Sequence, residues 1–167
     1  AEVISLGIDD LMVKNRYDDK FSALVEVIRY CKPDVILTHS STDYMVDHVM
    51  AGELAFDASF AATVPHFFTQ SPVHPVFPVV YQMDNLAGVN FLPTEYVDIS
   101  STLEDKIAAL NCHESQVKWM REHDNIDFEE FVRVTARFRG LQAGVQYAEG
   151  FTQRMTWPRI RTERMLP

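Results

Sequence analysis

Asp and His side chains cluster directly after a short apolar run in the first third of the chain. The run ends at His39, and Asp43, Tyr44, Asp47 and His48 follow it closely. Asp and His together are ligands of divalent metals, zinc above all. The carboxyl end of a buried strand in an open α/β sheet delivers such side chains to a crevice. The segment therefore predicts a site at a strand tip, with a helix cap or solvated loop as the alternative.

A strand–helix alternation is predicted around this cluster. Apolar residues recur at three- and four-residue steps over 19–32, which predicts an amphipathic helix that Pro33 ends. The alternation favours an α/β fold with a doubly wound, mostly parallel sheet. Further helices are predicted over 46–63, 101–122 and from 127 to Gly140 or Gly144. Strands are predicted over 11–13, 35–38, 77–83 and 96–99, with 35–38 buried and parallel.

Two helix starts carry capping signals. Ser101 with Glu104 has the spacing of a capping box. Asp127 with Glu130 gives a second N-terminal signal. Residues 66–78 are rich in Pro, His and aromatic residues, and they predict an irregular loop beside the site.

The composition excludes several classes of function. The chain has 167 residues, a formal net charge of −9 and a pI of about 5.0. An acidic surface argues against binding to nucleic acid or to anionic membranes. No apolar run approaches the roughly 20 residues that span a bilayer.

The two cysteines are Cys31 and Cys112. Each falls on the apolar side of a predicted helix, so buried free thiols are expected rather than a disulfide. A reducing cytoplasmic location is the corresponding expectation.

Three ordered blocks resemble the PIG-L/LmbE-like zinc-dependent N-acetylglucosaminyl deacetylase family. Together they span almost the whole chain, and each alone is a weak signal. The blocks are Pro33–His39 with Asp43–His48, then Tyr96–Ile99 with Lys106–Leu110 and His113–Gln116, and finally Arg139–Gly140 with Tyr147–Phe151.

The resemblance implies a Rossmann-like fold and a zinc-dependent amide hydrolase. Zn²⁺ is the expected cofactor, with another divalent metal as the alternative, and His48 is its expected ligand. Asp47 and Tyr44 are the expected catalytic residues. Asp43 and His39 are expected to bind a sugar-like substrate that carries an N-acyl group, acetyl above all.

The chain departs from the family pattern in two places. The family's opening His-Pro-Asp-Asp motif is absent, and His74-Pro75 continues with Val76 instead. We therefore expect a single deacetylase-like domain over 1–167 that lacks its first strand–helix–strand unit, with the other metal ligands outside this chain. Met45 stands where many relatives carry a His, three residues before His48, on what would be a shared helical face.

Several interpretations stay open at this point. A metal-free relative that only binds a small molecule or a protein is the main alternative to an enzyme, and an unrelated Rossmann-like nucleotide binder ranks last because no Gly-rich loop is present. A homo-oligomer is expected. His113 and Gln116 are interpreted as tying their helix to the sheet through buried hydrogen bonds, and the role of Glu149 is left undecided.

Overall fold

The computed structural model describes residues 1–14 and 19–167, which contain five helices and four strands. The longest helices have 16 residues, and none in the described part is both long and apolar enough to cross a membrane. In chain order the elements are α1 Asp19–Cys31, β1 Val35–Thr38, α2 Val46–Ala61, β2 Val79–Met83, β3 Glu95–Asp98, α3 Leu103–Asn111, α4 Glu114–His123, α5 Phe128–Ala143 and β4 Ala148–Gln153.

The described residues form two compact units. The first comprises residues up to Met83 together with Thr152–Met165 and Pro167. In it, β1 and β2 pair in parallel, with Val35 opposite Val79. Helices α1 and α2 share an apolar core, so each buries the face that its sequence pattern predicts. The buried members of this core are Phe21, Val25, Ile28, Leu54, Ala58, Ala61 and Ala62.

A buried arginine joins α1 to the end of α2. Arg29 is 2% exposed and donates to the carbonyls of Ala62 at 3.0 Å and Val64 at 2.8 Å. The last carbonyls of a helix have no partner within it, and a cation there also suits the helix dipole. Arg29 therefore fixes where α2 ends relative to α1.

The second unit comprises Asp84–Phe151 and Leu166. In it, β3 and β4 pair antiparallel, with Glu95 opposite Phe151. Buried Arg139 donates to Asp84 Oδ2 at 2.6 Å, to Gln142 and to the carbonyl of Phe91. The unit's apolar core includes the cluster of Ile99, Leu103, Ile107 and Ala136.

The α/β class is confirmed, with both parallel and antiparallel pairing among the four strands. The predicted helices over 19–32 and 46–63 and the predicted strand over 35–38 form within two residues of the expected limits. Asp127 caps α5 as predicted, since its side chain accepts from the Glu130 N–H, and Gly144 ends the helix at φ 75°. The doubly wound order and the single-domain boundary stay predictions.

Two predicted elements are wrong. Residues 11–13 form no strand, and Leu11 adopts a positive φ of 61°, which belongs to a turn. The predicted helix over 101–122 is two helices, α3 and α4, which meet at Cys112 and His113. The run Asn-Cys-His at this break consists of modest helix formers.

The predicted capping box is also wrong. Thr102 is the N-cap of α3, and it makes no side-chain cap hydrogen bond. Glu104 instead accepts two hydrogen bonds from Arg133, at 2.5 and 2.7 Å, and these lower the pKa of the Glu104 carboxyl. Arg133, on helix α5, thus binds the Glu104 carboxylate that would have completed the capping box.

Burial was mispredicted for three residues. Cys31 and Cys112 are free thiols as expected, but both are exposed rather than buried. The strand β1 is not fully buried, since the Leu37 side chain is 51% exposed. Periodicity assigns a residue to a face, and it does not tell how deeply that face is covered.

Asp127 and Ser101 form a matched pair for a test of capping. Asp127→Ala should lower the free energy of unfolding by about 1 kcal/mol, because the Glu130 N–H loses its acceptor. Ser101→Ala should change it by less than about 0.5 kcal/mol, because Ser101 caps nothing. Urea unfolding of both variants measures this, and equal losses would contradict the assignment of the two helix starts.

Candidate metal centre

The loop between β1 and α2 is a tight turn held by its own side chains. Ser40 is 2% exposed, and its Oγ accepts from the Thr42 N–H at 3.1 Å. The Asp43 N–H donates to the Ser40 carbonyl at 3.2 Å. Hydroxyl and carboxylate side chains that bond the backbone two residues on stabilise such turns. The loop therefore presents Asp43 in one defined orientation.

The Asp43 carboxylate links this loop to helix α2. Its side chain is only 4% exposed. Oδ1 accepts from the Met45 N–H at 2.9 Å, and Oδ2 lies 3.0 Å from His48 Nδ1. An ionised carboxylate can only accept, so Nδ1 carries the proton and the lone pair of His48 is on Nε2. A carboxylate that holds a histidine in this tautomer is the usual companion of a metal-binding imidazole.

His39 stacks on His48. The two ring centroids are 4.1 Å apart and the rings are inclined by 8°. Burial lowers the pKa of His39 below its usual value; the charge of His48 adds to this effect and Asp43 opposes it. His39 is therefore kept in the neutral form, which is the form that binds a metal.

The donor set fits a divalent metal. His39, Asp43 and His48 each offer one ligand atom, and these atoms lie within 4.8 Å of one another. Two imidazoles with one carboxylate are ligands that zinc and related ions accept. These three residues form the only such group in residues 1–14 and 19–167. We call it the His39–Asp43–His48 cluster.

Gly52 brings helix α2 close to the tip of β1. A Cβ built at this position would lie 2.6 Å from the carbonyl oxygen of His39, which is too close for any side chain. Gly52 is buried in the second turn of α2, one helical turn after His48. The absence of a side chain at 52 therefore sets the distance between the two histidines.

The two expected catalytic residues flank the cluster. The Tyr44 side chain is 72% exposed. Asp47 lies in the first turn of α2 and is half-buried, and its side chain makes no hydrogen bond with the described residues. Their catalytic roles stay predictions, as do the substrate contacts expected of His39 and Asp43.

Met45 differs from the expected geometry. It is the N-cap of α2, with φ −85° and ψ 123°, so its backbone is extended rather than helical. The shared helical face that was predicted for Met45 and His48 therefore does not exist as such. Met45 is half-buried, and its carbonyl accepts from the Val49 N–H at 3.1 Å.

Three residues of the later blocks lie in the second unit. His113 and Gln116 are exposed and make no side-chain hydrogen bond with the described residues, so the predicted buried hydrogen bonds are wrong. Glu149 is half-buried and pairs with Lys106 at 2.5 Å. This ion pair joins α3 to β4 and gives Glu149 a structural partner.

From the sequence, His48 was expected at a metal, whereas His39 and Asp43, the other two members of the cluster, were expected to bind the substrate. The signal was present for Asp43, because an Asp two residues before the N-cap of a helix often accepts backbone N–H groups there. No local signal exists for His39, since only the path of the loop brings its ring onto that of His48.

Comparison with known proteins relates the chain to two enzymes. No family model matches it. It is 28% identical over 172 residues to 4-oxalmesaconate hydratase from Pseudomonas putida, an alignment that covers 96% of this chain and 62% of the relative. It is 29% identical over 137 residues to diacetylchitobiose deacetylase from Thermococcus kodakarensis, covering 76% of this chain and 47% of the relative.

A solved structure has a similar fold. The crystal structure of GalB, the 4-carboxy-2-hydroxymuconate hydratase of Pseudomonas putida, superposes with a TM-score of 0.71 at 26% identity, covering 93% of this chain and 65% of that one. The chain thus spans less than two thirds of the length of each of these relatives.

Gly52→Ala tests the close approach of α2 to β1. Alanine has the higher helix propensity, which alone would stabilise the helix by about 1 kcal/mol. The clash with the His39 carbonyl should reverse the sign and lower the free energy of unfolding by about 1–3 kcal/mol. Ala51→Gly in the same helix measures the propensity effect by itself. A Gly52→Ala protein more stable than wild type by denaturant unfolding would contradict this packing.

Proposed function

The chain belongs to the PIG-L/LmbE-like family, and we propose that it is part of a metal-dependent hydrolase that removes an N-acyl group from an amino-sugar-type substrate. The observation that carries the proposal is the His39–Asp43–His48 cluster, in which a buried carboxylate holds His48 with Nε2 available. The deacetylase relative supports the choice of an acylated amino sugar. The preferred acyl group is acetyl, and the preferred metal is zinc.

We assign the metal to His48 Nε2, because Asp43 occupies Nδ1. We assign His39 as the second ligand from this chain, because it offers a ring nitrogen within 4.8 Å of the donor atoms of Asp43 and His48. When bound, zinc supplies Lewis acidity to the acyl carbonyl and makes water a usable nucleophile near neutral pH. Asp43 keeps both roles of its carboxylate, which are to orient His48 and to hold the start of α2.

The remaining polar groups at the cluster supply proton transfer and substrate contacts. Asp47 precedes His48 and has no partner among the described residues, so its carboxylate is available to accept a proton or to hold a donor. Tyr44 is exposed beside it, and its hydroxyl can reach a substrate oxygen. We assign proton transfer to Asp47 and substrate or transition-state hydrogen bonding to Tyr44.

A hydratase is the second candidate function. It is favoured by the relative whose alignment covers 96% of this chain, which is named a hydratase of 4-oxalmesaconate. Water addition to an unsaturated acid and water attack on an amide both need water and a positioned base, so the same cluster can serve either. Acetate release from diacetylchitobiose, compared with consumption of 4-oxalmesaconate, separates the two reactions in one preparation.

Metal content tests the proposal directly. In the full-length protein, His48→Ala should lose the bound zinc and the activity together, because the assigned ligand is gone. Asp43→Asn should still bind zinc at saturation but about 10–100-fold more weakly, because His48 loses its orienting carboxylate. Asp34→Asn, an exposed carboxylate just before β1, is the matched control. The measurement is zinc titration with elemental analysis.

Two results would contradict these assignments. Unchanged zinc stoichiometry in His48→Ala would remove His48 from the metal. A wild-type protein that binds no divalent metal and releases no acyl group would favour the metal-free binding module instead.

Met45→His tests whether this enzyme lacks a general acid. A positioned acid contributes roughly 10²–10⁴-fold in rate, and an imidazole without supporting contacts contributes a small part of that. We expect kcat/KM to stay within about tenfold of wild type. Val46→His, at the adjacent exposed position, controls for an added histidine. A gain of about a hundredfold or more at unchanged zinc content would mean that the natural chain is an impaired deacetylase.

A further inference from the structure

An aromatic cavity lies beside helix α2, away from the His39–Asp43–His48 cluster. Its volume is about 490 Å³, a size that small-molecule sites have. Phe60 in its wall is twelve residues after His48, which is about 18 Å along a helix. The cavity therefore belongs to a different part of the first unit. Its aromatic wall consists of Phe21, Phe56, Phe60, Phe67 and Trp157.

Arg159 is the cation of this cavity. The residue is 3% exposed, and its guanidinium carbon lies 4.3 Å from the centre of the Phe56 ring. Nη1 donates to Ser59 Oγ at 2.8 Å, and this is the only hydrogen bond of the Arg159 side chain within the described residues. Nε and Nη2 make no hydrogen bond within the described residues, and Arg159 lines the cavity. Arg159 therefore has hydrogen-bond donors available for a ligand.

The charge of Arg159 has no ion-pair partner within the part of the chain that the structure describes. Its neighbour Arg154 is neutralised by Glu53 through two hydrogen bonds of 2.8 Å. No ion pair of Arg159 is found among the described residues, and burial lowers its pKa, an effect that Arg154 increases and Asp57 opposes. A buried cation without a paired anion is costly. Asp57 lines the same cavity and supplies part of the negative charge, and a carboxylate held directly at the guanidinium would supply the paired anion.

We propose that this cavity binds a small aromatic carboxylate. The ring packs among the phenyl groups and Trp157, and the carboxylate accepts hydrogen bonds from Nε and Nη2 of Arg159, the fork geometry that guanidinium offers. A single negative charge balances a single guanidinium. The carboxylate of Asp57 in the wall repels a dianion such as a phosphate ester about twice as strongly as a monoanion.

Benzoate is the probe, and Trp157 is the reporter because its side chain is 90% exposed at the cavity. Trp119→Phe removes the only other tryptophan of this sequence. In this background, benzoate should quench the fluorescence saturably. Benzyl alcohol, acetate and phenyl phosphate should each bind at least about tenfold more weakly, because each lacks the charge, the ring or the single negative charge. Benzyl alcohol binding as tightly as benzoate, or no saturable quenching by benzoate, would overturn the proposal.

Arg159→Gln should weaken benzoate binding by at least about tenfold, because a charge-assisted pair is lost. Arg161→Gln is the matched control, since Arg161 is exposed and does not line this cavity. Undiminished affinity in Arg159→Gln would contradict the proposal.

If Arg159→Gln does not fold, Phe60→Leu takes its place, at a position that is 51% exposed. It keeps an apolar side chain and the Trp157 reporter, and it should weaken benzoate by at least about threefold through loss of ring contact. Unchanged affinity there would equally count against an aromatic-acid site.

Discussion

The Asp43 carboxylate is the interaction on which the site depends. One oxygen accepts a hydrogen bond from the N–H of Met45, the N-cap of helix α2, and the other fixes the tautomer of His48. The carboxylate is almost fully enclosed, so these bonds are not weakened by competing water. Helix start and histidine orientation are therefore set by one group, and a change at Asp43 would disturb both together.

Helix α2 is held in place by contacts with the rest of the first unit. At Gly52 it touches the backbone of His39, which leaves no room for a side chain. At its far end Arg29 binds the last carbonyls and holds the helix against α1. The helix is thus fixed in position at both ends, and a site on such a rigid element can be held to the precision that metal binding requires.

Local signals in the sequence predicted the helices and the strand that present the site. They did not predict contacts that depend on the tertiary path of the chain. Pro33 and Asp127 mark helix boundaries through their own backbone chemistry, so both were found. The stacking of His39 on His48 depends on the path of the 40–45 turn, which no periodicity encodes. Likewise Glu104 had the spacing of a cap, but the tertiary contact with Arg133 took its carboxylate.

We propose that Asp43 holds His48 so that Nε2 binds the metal. Anomalous diffraction at the zinc edge, from crystals of the full-length protein grown with zinc, tests this assignment most directly. We expect a peak at bonding distance from His48 Nε2, with the hydrogen bond between Asp43 and His48 Nδ1 kept. A peak bonded to Nδ1, or a zinc ion bound elsewhere with none at His48, would contradict it.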